Sequence, residues 1–434
     1  MIEAVIYVLL CLAAGPYTEV AAGSAVADSF PPDFADRAFA HIAYLAALGP
    51  RRVETPAEIE TIQYLTRQFE TMGLETRVEW FEFESYRIEQ LEMTLCGRDV
   101  EPVTIGFNPY GGQNTFGGRP VFVGPHTSQE ELGRLDLRDR IVITTAPVFY
   151  FSLFRLNPRL IVYLSGSDYR ALADESCSTS TLTVDGSVEK HRSANVVAEL
   201  KLSPDTRSDE EVILSAHWDS YRDSPGADDN ASGVGTLLEL ARYFSMLKTA
   251  PGGTIKFVSF GAEELGMVGS RAYLNAHRTD LVRCVLVFNL DQVGGPRGPT
   301  VELTGGVRGI PTRKGTTQFP ALLRNRAFEG LDGRWRITSP QLMEIMTVAN
   351  RPAWLEEAIT TSAEQLGIDI LPRGNLGSDQ QVFTQAGIVA TAVGSTGNQY
   401  HSPADLPDQI NKDGLVAAGK VVASVVLTRL GAGT

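Results

Sequence analysis

Four near-continuous apolar runs in the second half of the sequence constrain the fold more than any other feature. They are Val212–Ala216, Ile255–Phe260, Val285–Leu290 and Ile388–Val393. Strands that are apolar on both faces lie buried between two layers, which is typical of parallel sheets in α/β proteins. The clearest helix between them is expected over residues 232–247. This alternation predicts an α/β fold with a mostly parallel central sheet flanked by helices.

The region before these strands has a different texture. A helix is expected from Pro56, after a capping box formed by Thr55 and Glu58, and residues 74–83 then alternate like a strand. Residues 85–192 consist of short apolar runs separated by turn residues. We therefore expect a main domain over residues 28–84 and 193–434, interrupted by a small, strand-rich inserted domain over residues 85–192.

The N-terminal segment carries a short apolar run, from Ala4 to Gly15. It is shorter than the roughly 20 residues that span a membrane, and small residues from Ala25 to Ala27 suit a signal-peptidase cleavage site. Glu3 precedes the run without any Lys or Arg, so a buried or interfacial helix is the alternative. We expect residues 1–27 to be a signal peptide and the protein to be secreted or periplasmic, with membrane association through this segment as the alternative.

Charge and cysteine content exclude other classes of function. The formal net charge of −14 repels phosphate backbones and argues against a nucleic-acid partner. The four cysteines, Cys11, Cys96, Cys177 and Cys284, show no CxxC spacing, so neither a thiolate zinc site nor a redox pair is supported. One disulfide and one buried thiol outside the signal segment fit the count, but disulfide pairing and oligomeric state stay open.

Imidazole and carboxylate side chains follow each of the four apolar runs. The carboxyl ends of parallel strands meet at one edge of a sheet, where sites in open α/β sheets form. Taken singly, each group reads as a helix cap, a solvated pair or a satisfied histidine, but together they form a nitrogen-and-oxygen ligand set suited to zinc. The groups are His217 and Asp219, Glu263 and Glu264, Asp291, and His401, with Asp228 and Asp229 in a loop before the helix.

The motifs that contain these residues resemble those of a known family. The segments HWDS, GADDNASG, GAEELGMVGS, NLDQVG and YHSPAD are similar, in order and spacing, to the motifs of the secreted dinuclear zinc aminopeptidases. That family also includes the glutamate carboxypeptidase, glutaminyl cyclase and transferrin receptor branches. The likeness is strong over residues 193–411 and weak over 38–84, while 120–168 resembles a shortened protease-associated domain. It implies a zinc peptidase domain over 28–84 and 193–434, with a protease-associated-like insert over 85–192.

The resemblance implies two zinc ions and a ligand set for each. His217 and Asp291 would bind one ion, and Glu264 and His401 the other. Asp229, rather than its neighbour Asp228, would bridge the two ions, since the family's bridging carboxylate directly precedes the Asn-x-Ser/Gly step.

Three further residues would serve the chemistry. Asp219 would orient the imidazole of His217 through its second ring nitrogen. Glu263 would be the general base that takes a proton from the attacking water, and Tyr400 would donate to the developing oxyanion.

The predicted function is hydrolysis of N-terminal peptide bonds in peptide or small amide substrates. A carboxypeptidase is one alternative, with arginines from the unplaced stretch 294–375 as carboxylate clamps; a glutaminyl-cyclase-like acyltransferase with one zinc and a non-enzymatic, receptor-like module are others. Gln380 and Val382 stand where many relatives carry His or Tyr with Pro, which leaves the pocket wall and the preferred residue open. The candidate clamp residues are Arg297, Arg308, Arg313 and Arg373.

Overall fold

The structure is a computed structural model of the chain. It describes residues 22–102, 104–106, 113–124, 127, 129–145, 158–173, 177–202, 209–247, 252–295, 300–301, 326–329, 335–337, 352–370, 377–395, 399 and 401–431.

Two sheets are present in this part of the chain. The strands are β1 (Glu75–Leu95), β2 (Arg98–Val100), β3 (Thr104–Gly106), β4 (Asn114–Gly118), β5 (Pro120–Phe122), β6 (Ile141–Thr144), β7 (Leu160–Tyr163), β8 (Ser180–Lys201), β9 (Glu211–His217), β10 (Thr254–Phe260), β11 (Cys284–Leu290), β12 (Thr300–Val301), β13 (Arg326–Glu329), β14 (Trp335–Ile337) and β15 (Ala390–Gly394). The larger sheet has the order β12-β15-β11-β9-β10-β8-β1-β13-β14, with β2 paired to β1 and β4 to β8. The smaller sheet has the order β3-β7-β6-β5.

Helices cover both faces of the larger sheet. They are α1 (Ala22–Ser29), α2 (Phe34–Ala47), α3 (Pro56–Thr71), α4 (Gln129–Arg134), α5 (Gly166–Ala173), α6 (Gly233–Ser245), α7 (Val268–Ala276), α8 (Ala353–Leu366), α9 (Gln380–Gln385) and α10 (Lys412–Leu430). One core contains residues of α2, α6 and α10, such as Leu45, Leu237 and Val422. The core on the opposite face contains Leu274 of α7 and Phe383 of α9.

The predicted α/β class is confirmed, but the sheet is mixed. The four apolar runs form β9, β10, β11 and β15, which pair in parallel at the centre. Beside them, β8 is antiparallel to both β10 and β1. The parallel centre is buried on both faces, which is why its strands have continuous apolar sequences.

The ribbon formed by β1 and β8 joins the larger sheet to the inserted region. The predicted domain boundaries, 84/85 and 192/193, both fall within these strands, which stay paired from Glu75↔Glu199 to Leu95↔Ser180. Residues of both ends of the ribbon pack with β6 and β7 in a separate core that includes Ile88 and Leu182. Cys96 and Cys177 form a disulfide at the far end of the ribbon, and Cys284 is a free thiol.

The N-terminal helix α1 packs against the main domain. Val26 is fully buried, and the Gly23 amide donates to Gln365 Oε1 at 3.1 Å. The cleavage site predicted around residues 25–27 falls inside this helix, whereas residues 1–21 of the predicted signal lie outside the described residues. Among the described helices, none is both long and apolar enough to cross a membrane.

A buried ionic cluster fixes α2 to α6. Glu239 has no exposed side-chain surface and accepts hydrogen bonds from Arg37 and Arg242, at 3.1 and 2.6 Å. His41 lies between Glu239 and the hydroxyl of Tyr64, at 3.2 and 2.6 Å. Burial alone would raise the pKa of Glu239, but its contacts with His41 and the two arginines lower it below its usual value. His41 is therefore a structural residue of this cluster.

The lowered pKa of Glu239 makes its contribution to stability dependent on pH. That contribution is complete above the ordinary pKa of 4.5 and is lost as pH falls through the lower folded-state pKa. We expect Glu239→Gln to lower the free energy of unfolding by roughly 1–3 kcal/mol at neutral pH and by less in acid. Urea unfolding at several pH values measures the difference, with exposed Glu70→Gln as the control. An equal loss at all pH values would contradict this account.

Candidate metal centre

The predicted site residues meet at the carboxyl edge of the parallel strands. His217 is the last residue of β9 and pairs with Phe260, the last residue of β10. Asp291 directly follows β11, and its amide donates to the Val393 carbonyl of β15 at 3.0 Å. The strand order therefore places side chains from distant parts of the sequence at one sheet edge.

The five predicted ligands form two groups that share Asp229. His217 Nε2 lies 3.3 Å from Asp229 Oδ1 and 3.5 Å from Asp291 Oδ1. His401 Nε2 lies 3.3 Å from Asp229 Oδ2 and 3.1 Å from Glu264 Oε2. In each group of three, all the candidate ligand atoms lie within 4.8 Å of one another. The two oxygens of Asp229 thus face different groups, which is the arrangement of a bridging carboxylate.

Orphaned oxygens in the centre fit a bound cation. Within the described part of the chain, Glu264 Oε1 and Asp291 Oδ1 are buried and have no hydrogen-bond partner. Buried carboxylate oxygens without a partner are costly unless a cation or a proton compensates them. Two imidazoles with three carboxylates are also a donor set that suits zinc. The residues present therefore fit two zinc ions.

The electrostatics of the centre express the same crowding. Burial raises the pKa of Glu263 well above its usual range and that of Glu264 to about 7, and the neighbouring carboxylates raise both further. Burial would lower the pKa of His401, but Glu264 and Asp229 outweigh it and raise the pKa to about 10. Without a metal, the centre therefore holds protons that a cation must displace.

Asp219 contacts the main chain of the next ligand loop. Its carboxylate accepts hydrogen bonds from the amides of Glu263 and Glu264, at 3.0 and 3.1 Å. The Nδ1 atom of His217 lies 3.1 Å from the Asp219 carbonyl oxygen and 3.5 Å from its carboxylate. Asp219 therefore borders the ring nitrogen of His217, as predicted, and also holds the Glu263–Glu264 turn.

Two residues that the sequence did not single out border the centre. The ring of Tyr221 stacks on that of His401, with centroids 4.0 Å apart and planes 7° apart. Asp379 is fully buried, and its charge interacts with those of Glu263 and His217. Burial raises the pKa of Asp379 to about 7. No spacing signal marks Tyr221, whereas Asp379 lies in the segment that was noted only for its neighbours.

Other sequence predictions have different outcomes. Gln380 and Val382 are buried in α9, and Val382 packs in the core with Phe383. Tyr400, the expected oxyanion donor, lies outside the described residues. The four arginines considered as carboxylate clamps also lie outside them.

An α/β sheet that gathers two overlapping ligand groups at its carboxyl edge is typical of hydrolases with paired metal ions. The chain belongs to peptidase family M28, whose model matches residues 195–317 and 326–426, more than half of the sequence. The family recognised from the motifs is thereby confirmed.

Relatives with names cover most or part of the chain. Aminopeptidase YwaD of Bacillus subtilis (strain 168) is 26% identical over 438 residues, which are 91% of this chain and 85% of the relative. A probable lipoprotein aminopeptidase, LpqL of Mycobacterium tuberculosis, is 23% identical over 303 residues, 60% of this chain and 59% of the relative.

Solved structures share the fold. The aminopeptidase from Aneurinibacillus sp. strain AM-1 has a TM-score of 0.65 at 21% identity, covering 93% of this chain and 95% of that one. BSAP, a zinc aminopeptidase from Bacillus subtilis, has a TM-score of 0.57 at 22% identity, covering 91% and 94%. At these identities the likeness establishes the architecture alone.

Proposed function

We propose that this protein is a zinc-dependent aminopeptidase that hydrolyses the N-terminal bond of peptides or small amides. The observation that carries the proposal is the sharing of Asp229 between two groups of candidate ligands, one with His217 and one with His401. The M28 match and the aminopeptidase names of YwaD and LpqL support it.

Five residues would hold the two ions. His217 and Asp291 would bind one zinc, Glu264 and His401 the other, and Asp229 both. When bound, paired zinc ions polarise a substrate carbonyl and lower the pKa of a coordinated water from about 15.7 toward 7. Tyr221 would hold the His401 ring in its orientation by stacking on it.

Glu263 is the proposed general base. It neighbours Glu264 in the turn held by Asp219, and it keeps partial exposure at the sheet edge. Burial and the surrounding carboxylates raise the pKa of Glu263, which favours uptake of a proton from the attacking water. The same side chain returns that proton to the leaving amine.

The charge of the centre favours a substrate with a free amino end. Glu263 and Asp291 retain partial exposure beside the ligand groups, and both are acidic. Carboxylates in a sheltered cleft attract an α-ammonium group and gain nothing from an acetylated amine. This preference separates an aminopeptidase from a carboxypeptidase, which needs a cationic clamp.

Export of the protein is part of the same proposal. The Cys96–Cys177 disulfide supports an oxidising compartment, where such bonds persist. The relative LpqL is named a lipoprotein, which also supports a location outside the cytoplasm.

Metal analysis tests the shared ligand. We expect two zinc ions per chain in the parental protein, and Asp229→Ala to weaken both sites because it removes a ligand from each. His401→Ala should chiefly empty one site. Elemental analysis with chelator titration measures the occupancy, and Asp223→Ala, in the same loop but exposed, is the control. Full activity with a single bound zinc would contradict the bridged arrangement.

A second variant separates chemistry from metal binding. Glu263→Gln removes the proton acceptor and leaves all five proposed ligands in place. We expect kcat to fall by roughly 10²–10⁴-fold while the zinc content stays unchanged. Steady-state kinetics with metal analysis gives both values, and exposed Glu357→Gln is the matched control. Near-normal turnover by Glu263→Gln would remove that residue from the role of base.

Blocked and free substrates test which end of the peptide is recognised. We expect release of the first residue from peptides and chromogenic amides with a free amino end, and little cleavage after N-acetylation. The reason is loss of the ammonium group that the acidic centre attracts. Chromatography of the products on a peptide panel measures both. Equal rates on the two forms would exclude an aminopeptidase, whereas a requirement for a free carboxyl end would indicate a carboxypeptidase.

A further inference from the structure

Two buried aspartates hold the ligand-bearing main chain in the same way. Asp219 accepts the amides of Glu263 and Glu264, one on each carboxylate oxygen. Asp405 accepts the amide of Asp228 on Oδ1 at 2.8 Å and that of Asp229 on Oδ2 at 3.0 Å. Each aspartate is 2% exposed. We call Asp219 and Asp405, with these pairs of hydrogen bonds, the aspartate clamps.

Asp405 connects two ligand loops that are distant in sequence. It lies four residues after His401, and its amide donates to the Ser402 carbonyl at 3.1 Å. Its own carbonyl oxygen accepts the amide of Ala227 at 3.3 Å. Three hydrogen bonds therefore tie Asp405 to the segment 227–229, which presents the shared Asp229 to both ligand groups.

Arg51 lies between the clamps and has no exposed surface. Its guanidinium donates to the carbonyl oxygens of Trp218 at 2.8 Å, Pro225 at 2.5 Å and Gly226 at 2.9 Å. Trp218 directly precedes Asp219, so these bonds fix both ends of the loop that separates one clamp from the other ligand segment. Gly226 has a φ of +62°, and a Cβ atom there would lie 2.9 Å from Arg51 Nη2, which shows how closely the guanidinium is enclosed.

The charge of Arg51 serves both clamps. Burial lowers the pKa of Arg51 to about 10, and the carboxylates of Asp219 and Asp405 oppose that decrease. The side chain therefore keeps its proton at neutral pH. A buried cation near two buried carboxylates offsets part of the cost of burying them.

We propose that Asp405 and Arg51 are positioning residues that fix the main chain of the bridging Asp229 before any metal binds. The inference rests on the proposed zinc-binding function. Asp405 holds the amides of the bridging segment, as Asp219 holds those of the Glu263–Glu264 turn, and Arg51 pins the loop between them. Ligands that are already in place lose less conformational freedom when the metal binds, so zinc affinity depends on residues that touch no zinc.

Zinc titration against a competing chelator tests the role of Asp405. Asp405→Asn keeps the shape but turns an amide NH₂ toward one of the two backbone N–H donors. We expect zinc affinity at both sites to fall by about 10–100-fold, the range for residues that orient ligands. Asp408→Asn, the same change at an exposed position three residues on, should keep the parental affinity. A purely structural role would lower the urea midpoint and leave the affinity of the folded protein unchanged, which would overturn the proposal.

A lysine at position 51 tests the geometry of the pin separately from its charge. Arg51→Lys keeps a cation but cannot reach the same set of carbonyl oxygens. We expect a loss of zinc affinity of at least 10-fold, within the range for ligand-orienting residues, and none for the neighbouring Arg52→Lys. Parental affinity in Arg51→Lys would remove Arg51 from the proposal.

Hydrogen exchange on the parental chain decides the matter if the variants do not fold. In metal-free full-length protein, we expect the amides of Asp228, Asp229, Glu263 and Glu264 to be protected, because the clamps form without metal. Protection that appears only with Zn²⁺ would overturn the proposal. A parental chain with protected amides that binds no zinc would instead contradict the proposed function and leave the clamps intact, so the two failures are distinguishable.

Discussion

Carboxylates crowded at one buried edge of the sheet repel one another, and the rest of the site is organised around that repulsion. Burial raises the pKa of Glu263, Glu264 and Asp379, which means that water no longer stabilises their charges. Compensation comes from two imidazoles, the buried guanidinium of Arg51 and backbone amides aimed at carboxylate oxygens. The oxygens that remain without partners in the described residues are those that face the proposed zinc ions.

Such a charge arrangement needs a frame that does not yield. The central strands are parallel and buried on both faces, so their ends cannot shift without disturbing two cores. His217 and Asp291 stand directly at those ends, whereas Asp229 and His401 are carried by loops. The loop residues are the ones that Asp405 and Arg51 tie down. Rigid strands and fastened loops thus supply the two halves of one ligand set.

The sequence predicts the strands and the ligands better than it predicts what holds them. Apolar runs and the acidic or imidazole residues after them are local patterns, and they led to β9, β10, β11 and β15 and to residues that do meet in space. Arg51 carries no such pattern, because a single arginine is most often a surface residue and its burial follows from tertiary packing. Asp405 was visible in the YHSPAD segment, but its partners lie more than 170 residues away. The length of β1 beyond residue 83 was also missed, since its polar alternation gives little sign of a long ribbon.

The long β1–β8 ribbon has a mechanical consequence for the inserted region. A domain attached through two flexible linkers could swing freely, but here the attachment is a continuous ladder of interstrand hydrogen bonds. Bending must then concentrate where the ladder is irregular, and its register shifts between Ile88 and Gln90. Motion of the insert relative to the peptidase domain is therefore the flexing of a twisted two-stranded spring, with its stiffness set by cross-strand pairs rather than by linker length.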